Sequence, residues 1–274
     1  MRNLVIFGFL GLFPLAAMAG DMENIRLYPV YWHGSDIGEL AIKIREHGND
    51  YHIEAHIRSK GIARAISGYE SDTAADAVLD GRKTSPISFK TDFELKKKSR
   101  HIEIKYGSGG QVTSEQNNPP EDRNKRPEVL KNLKDGAYDP LSAALLAREK
   151  LREMRDSGAL EKGKANFTIP IYDGRRRSNL EFTVYGREML KLGGQKIGGK
   201  EMHIIHIGFI NKPVAGYTKN EIRDLPTQNP IINAYISDDD LLLPVKGDGE
   251  IQIGFASGSM SQECRSFKEC GINY

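Results

Sequence analysis

In LAIKIREHGNDYHIEAHI, residues 40–57, apolar and polar side chains alternate on either side of a Gly-containing break. If His47 to Asp50 form the loop, Glu46 faces Tyr51, and antiparallel pairing sets Ile44 by Ile53, Ile42 by Ala55 and Leu40 by Ile57. One face is then wholly apolar. The other sets Lys43 by Glu54 and Arg45 by His52, which predicts a hairpin packed on one side and wet on the other. The pattern recurs in ISFKTDFEL, where Ile87, Phe89, Phe93 and Leu95 share a face answered by Ile102, Ile104 and Tyr106 across the KKKSR turn. A third hairpin, NFTIPIYDGRRRSNLEFTVYG, turns at Asp173-Gly174, with Phe167, Ile169 and Ile171 on the face of Leu180, Phe182 and Val184. Its three arginines read as a solvated loop tip. Further strands are expected over Glu201 to Ile210, Ile231 to Ser237 and Glu250 to Phe255, the first apolar on both faces and so central.

One stretch breaks the two-residue period. In KDGAYDPLSAALLAREKLREM, Lys134 to Met154, the apolar positions Leu141, Ala144, Leu145, Leu151 and Met154 form a helical stripe. Asp139 is placed as N-cap, Pro140 as first helical residue and Gly158 as the stop, with Lys150, Arg152 and Arg155 toward the C-terminal end. A lone amphipathic helix needs its stripe covered, and the concave face of a curved sheet is the apolar surface on offer. The fold class expected is therefore mainly β: a curved antiparallel sheet or incompletely closed barrel with one amphipathic helix packed in the concavity. Before the helix, the polar SEQNNPPEDRNKR reads as an exposed loop. GSGG at Ser108 reads as a hairpin tip. GGQKIGG, residues 193–199, reads as a turn, because it lacks the Lys-Ser/Thr and helix of a phosphate loop.

The first twenty residues change the picture of where this domain works. A basic start at Arg2, an apolar run from Leu4 to Ala17 and an Ala-Met-Ala pattern before Gly20 have the form of a secretory signal peptide. The run is short for a membrane span, and charge follows at once. The expected organisation is a signal peptide over 1–19 and a single β-rich periplasmic domain over 20–274, with no transmembrane span after processing. A formal net charge of +2 offers no strong field for nucleic acid. The two cysteines, Cys264 and Cys270, are expected to be bridged in an oxidising compartment, the rival reading being a redox-active pair.

AYDPLSAALLAREKL, the Asp-Gly-Arg hairpin and LLLPVKGDGEIQIGF together resemble the bacterial exported family catalogued as domain of unknown function 3108, and YPVYWHGSDIGEL suits its opening strand. The resemblance implies a curved, incompletely closed β-barrel holding a helix, an architecture shared with periplasmic lipoprotein carriers; it implies no established activity.

Candidate chemistry is sparse. His52 and His56 share a strand face four residues apart, roughly 13 Å along an extended strand and too far for one ion. The Asp238–Asp240 run lacks the rest of a calcium loop and reads as a solvated turn. There is no Gly-x-Ser-x-Gly elbow. The expectation is a non-enzymatic envelope protein without metal, cofactor or catalytic residues, whose partner is an apolar ligand or an envelope protein. Its ligand, a lipid, acyl chain or lipoprotein segment, is placed between sheet and helix, lined by Trp32, Tyr138, Leu141 and Leu145. The alternatives are a structural or interaction protein with a filled core and, last, a hydrolase of envelope polymers.

Overall fold

Leu40, Ile42 and Ile44 stand opposite Ile57, Ala55 and Ile53, and Glu46 opposite Tyr51, so the first hairpin forms in the register its alternation predicts. Its turn is tighter than expected: His47 and Asp50 also pair, leaving Gly48 and Asn49 to reverse the chain. The structure, a computed structural model, describes residues 22–96, 98–192, 199–223, 231–251 and 254–272. The segment read as a signal peptide and residues 193–198 of the GGQKIGG turn lie outside them.

Two antiparallel meanders make up the chain. The first runs through β1 (Met22–Trp32), β2 (Ser35–His47), β3 (Asp50–Ser59), β4 (Glu70–Asp80), β5 (Lys83–Leu95), β6 (Lys98–Tyr106) and β7 (Val112–Asn118). The second runs through β8 (Ala165–Tyr172), β9 (Arg177–Lys191), β10 (Glu201–Ala215), β11 (Ile232–Ser237), β12 (Pro244–Ile251), β13 (Gly254–Ser259) and β14 (Gln262–Cys264). They join where β1 pairs with both β13 and β14, giving one 14-stranded sheet whose edges are β7 and β8. Among the described residues four α-helices accompany it: α1 (Gly61–Ile66), α2 (Lys131–Lys134), α3 (Pro140–Asp156) and α4 (Lys219–Arg223).

Asp139 caps α3 as its sequence predicts, its Oδ1 accepting from the backbone N–H of Leu141 (3.0 Å) and Ser142 (2.9 Å). Gly158, at φ +68°, ends the last turn in the left-handed region. The buried surface of α3 is broader than one stripe. Ala143, Ala147 and Leu151 pack with Ile169, Phe182 and Ile205 of the second meander, while Leu145 packs with Tyr51, Ile53 and Leu79 of the first. A helix that touches strands from both ends of the strand order forces the sheet to curl around it. The expected Ala144 is exposed and Ala143 and Ala147 take its place, because the helix is clamped from two sides. Arg148, also buried, donates to Glu46 (2.6 Å) and lies over the Tyr51 ring.

The edges β7 and β8 do not pair through backbone. The chain at Tyr138 lies between them, its N–H donating to Pro170 O (2.9 Å) and its carbonyl accepting from Tyr172 N (2.8 Å). Lys134 Nζ reaches Glu115 on β7 at 2.6 Å.

Several expectations fail, for reasons of tertiary context. A bulge between Asp76 and Ala77 shifts the register of β5, so Ile87 turns outward, 45% exposed, and Thr84 and Pro86 turn inward. Leu95, at the end of β5, is exposed as well. Glu250 to Phe255 is not one strand: Glu250 on β12 lies opposite Phe255 on β13, and the chain reverses between them. The polar segment before the helix forms edge strand β7 and then buries Glu121 and Arg126. Glu121 accepts from Arg126 (3.1 Å) and Arg175 and pairs with Arg100 (2.8 Å). Arg126 also donates to Glu221 (2.7 Å), and Arg176 to Asp173 (2.9 Å). Arg175 and Arg176 of the Asp-Gly turn thus belong to an ionic knot, while Arg177 donates to Leu133 O (2.9 Å) and Asn179 Oδ1 (2.8 Å). The Asp238–Asp240 turn is solvated as expected, with Asp239 and Asp240 exposed, though Arg155 donates to Asp239 O (2.7 Å), Arg152 to Asp240 O (3.2 Å) and Arg187 to Asp238 Oδ2 (2.7 Å).

The Lys43 side of the first hairpin is not simply wet. Cys264 and Cys270 are bridged, with Cα atoms 5.7 Å apart, and their loop packs on Ile25, Leu27 and Ala41. Phe267 from that loop meets His56 edge-on and lies 5.0 Å from Lys43 Nζ.

Candidate functional site: an apolar trough with a glycine floor

Directly opposed residues of an antiparallel sheet share a face. Across the sheet, Ile207, Ala234, Gly247, Gly258, Val30 and Gly38 stand opposite one another strand by strand. One row further out come Phe209, Ile232, Gly249, Ala256 and Trp32. The middle of both rows, on β12 and β13, is glycine and alanine. Small residues there leave a cavity of about 330 Å³, walled on one side by Tyr28, Leu40 and Ile42 and on the other by Phe209, Ile232 and Ala234.

The backbone does not demand glycine at the two central positions. Neither Gly247 nor Gly258 has positive φ. A Cβ on Gly247 would meet only Asn233 O at 3.6 Å, and one on Gly258 would meet Pro29 O at 3.4 Å, both tolerable contacts. What glycine supplies here is space. The trough lies beside the joint of the two meanders, whereas α3 packs chiefly on β4, β5 and β8, and Phe209 and Ala234 line the trough at the margin of the core under the helix. The helix fills one part of the concavity and leaves this part open.

Polar groups sit at the trough's edge. Tyr28 donates its hydroxyl to Pro244 O (2.7 Å), and burial, the largest influence on it, pushes that phenol well above its ordinary range, so it is a fixed neutral donor. Lys246 pairs with Asp248 (2.9 Å), which also accepts from Asn233 (3.0 Å). Elsewhere, His52 and His56 both reach Glu54, at 3.0 and 3.3 Å, while their Nδ1 atoms contact Asp76 and Asp72. Among the described residues no group of three His, Cys, Asp or Glu side chains is placed to hold a metal ion.

The four residues expected to line a ligand cavity are not brought together. Leu145 is 3% exposed inside the core under α3; Leu141 and Tyr138 pack at the helix start. Trp32 lies apart from them, at the end of the outer row beside the trough, where its ring meets His33 edge-on. The trough itself went unread in the sequence. Its signal is the two-residue spacing of glycines in VKGDG and again in the small-residue run FASGS, which puts the missing side chains on one face once the strands are aligned.

The model of the family described as "Protein of unknown function (DUF3108)" matches residues 27–261. The chain belongs to the DUF3108 family. The match takes in β2 to β13, α3 and the glycine rows of this DUF3108 fold, while β14 and the Cys264–Cys270 loop lie beyond it. No curated protein matches the chain. Among solved structures, the crystal structure of a beta-barrel-like protein of domain of unknown function DUF1849 from Brucella abortus is similar, at 11% identity over 88% of this chain and 96% of that chain, with a TM-score of 0.49. The described part of the DUF3108 chain contains no helix long and apolar enough to cross a membrane.

Proposed function

We propose that this DUF3108 protein is a non-enzymatic, periplasmic protein of the cell envelope that holds an apolar ligand, a lipid, acyl chain or lipoprotein segment, in the glycine-floored trough. The observation that carries the reading is the trough itself: about 330 Å³ of space bounded by apolar side chains, with Gly247 and Gly258 at its centre, where the backbone would accept a side chain. Its size falls in the roughly 300–1,000 Å³ range of small-molecule sites, which are mostly apolar with few polar groups. Export is supported by the form of the N-terminal segment and by the Cys264–Cys270 bridge, a bond that persists in oxidising compartments.

Titration with a dansylated undecanoic acid tests the reading. Wild type should bind the probe, and Gly247→Leu, whose side chain enters the trough, should lower affinity by at least about tenfold, 1.4 kcal/mol, without unfolding. Absence of binding by wild type sinks it. The rival reading, a structural protein with a filled concavity, draws on the tight packing of α3 and expects no uptake by either protein.

A further inference from the structure

Helix α1 is six residues long and buries none of them. Ile62 and Ile66, one helical turn apart, are 65% and 64% exposed. The helix leaves the sheet directly after Ser59, which stands opposite Gly38, the end of the inner glycine row. Lys60 N donates to Ile37 O (2.8 Å), so α1 is fixed at the pole of the sheet toward which the trough extends. The end of β5 is joined to it through Lys96 N, which donates to Ser67 O (2.7 Å), and this adds Leu95, 46% exposed, to the same tip. Among the described residues of these segments Lys60, Arg64, Lys96 and Lys98 are cations, and Glu94 beside Leu95 is an exposed acid. Lys60 and Arg64 are matched by Glu39 (2.9 Å) and Glu70 (3.6 Å), and the exposed Lys96 and Lys98 add positive charge beyond those pairs.

We propose that α1, with Leu95 at the end of β5, is a membrane-docking element that places Ile62, Ile66 and Leu95 in an anionic bilayer surface at the end of the trough. A protein interface needs about 800 Å² from each partner. Three protruding apolar side chains fringed with lysine are a small contact, suited to a headgroup layer that takes apolar tips and attracts cations. The proposal rests on the carrier reading, since it gives an apolar ligand a route between bilayer and trough without crossing water.

Flotation with vesicles tests it, using purified protein and two lipid compositions: phosphatidylcholine alone, and phosphatidylcholine with phosphatidylglycerol in equal parts. Wild type should float with the mixed vesicles. Ile62→Asp/Ile66→Asp, at exposed positions and with an unchanged circular dichroism spectrum, should bind at least about tenfold more weakly. Lys96→Glu/Lys98→Glu should weaken binding to mixed vesicles and remove the preference for them. Because all variants carry the wild-type N-terminus, the differences report the tip. If wild type does not float, or if the aspartate variant floats equally well, the proposal is wrong. Gly247→Leu separates the two readings: it should lose the fatty-acid probe yet still float. Probe binding that survives without flotation rejects the docking element alone, whereas flotation without probe binding rejects the carrier reading alone.

Discussion

Tyr172 on β8 donates its hydroxyl to Glu115 on β7 at 2.9 Å, so the two edges of the sheet are held together by a side-chain bond where no backbone pairing exists. Tyr172 is 2% exposed, and burial, reinforced by the neighbouring Glu115 carboxylate, raises its phenol far above its usual range and keeps it a donor. Tyr172→Phe should cost about 1.5–3 kcal/mol, the range for a hydrogen bond to a charged group. Urea denaturation of Tyr172→Phe, Glu115→Gln and the double variant checks it: coupling is expected, and strict additivity would show that the two residues do not hold the seam.

The ionic knot is the second place where one change should be severe. Glu121 has a side chain 9% exposed and faces Arg100, Arg126 and Arg175. Burial pushes its carboxyl up, but the bond and charge of Arg175, with Arg100 and Arg126, outweigh that and hold it below the usual carboxylate range. Glu121→Ala takes a partner from the buried Arg126, which keeps Glu221, and from the partly exposed Arg100 and Arg175, and should destabilise by about 3 kcal/mol, the low end for a broken buried pair. Arg123→Ala, an exposed residue on the same loop, should stay within about 0.5 kcal/mol of wild type in the same denaturation series.

Asp139 should make stability depend on pH in the unusual direction. Complete burial raises its carboxyl to about 6, against the hydrogen bonds from Ser142 and Leu141. The unfolded value is about 3.9. Between those values the folded chain holds a proton that the unfolded chain has lost, so this residue's contribution falls as pH rises from about 4 to 6 and stays low above. The difference is about 3 kcal/mol as an upper bound. Glu221, held at about 2 chiefly by Arg126 and Thr218 against the opposing effect of burial, acts oppositely: its contribution is present above about 4.5 and is lost on acidification toward 2. Comparing Asp139→Asn with wild type isolates the first effect. The variant should gain on wild type as pH rises from 4 to 7, and a constant difference would refute the assignment.

Much of the fold was legible because a strand's side chains repeat every two residues and a helix announces its ends. The pairings of Ile44 with Ile53 and of Phe167 with Phe182, and the Asp139 cap, need only neighbours in sequence. The rest depends on partners far along the chain. Whether Glu121 and Arg175 meet water or each other is decided across a separation of 54 positions, and composition reads both outcomes as polar loop. Ile87 followed its strand's alternation in sequence, and one extra residue opposite Asp76 and Ala77 reversed its face. The trough was hidden for a similar reason. A glycine in one strand reads as a weak strand former; only alignment of Gly247, Gly258 and Val30 turns it into a floor.

The joint of the two meanders also sets the order of assembly. Every other strand of the main sheet pairs with one close to it in sequence, but β1 finds β13 and β14 only at the far end of the chain; Asn24 donates to Glu263 across a separation of 239 residues. Hairpins form in microseconds, whereas a contact of that span must bear the full entropy of loop closure. While the chain folds, the outer edge of β1 therefore stays unpaired until the last segment docks, a template for pairing with another chain. The bridged loop at Cys264 and Cys270, packed over Ile25 and Leu27, then covers the strand that waited longest.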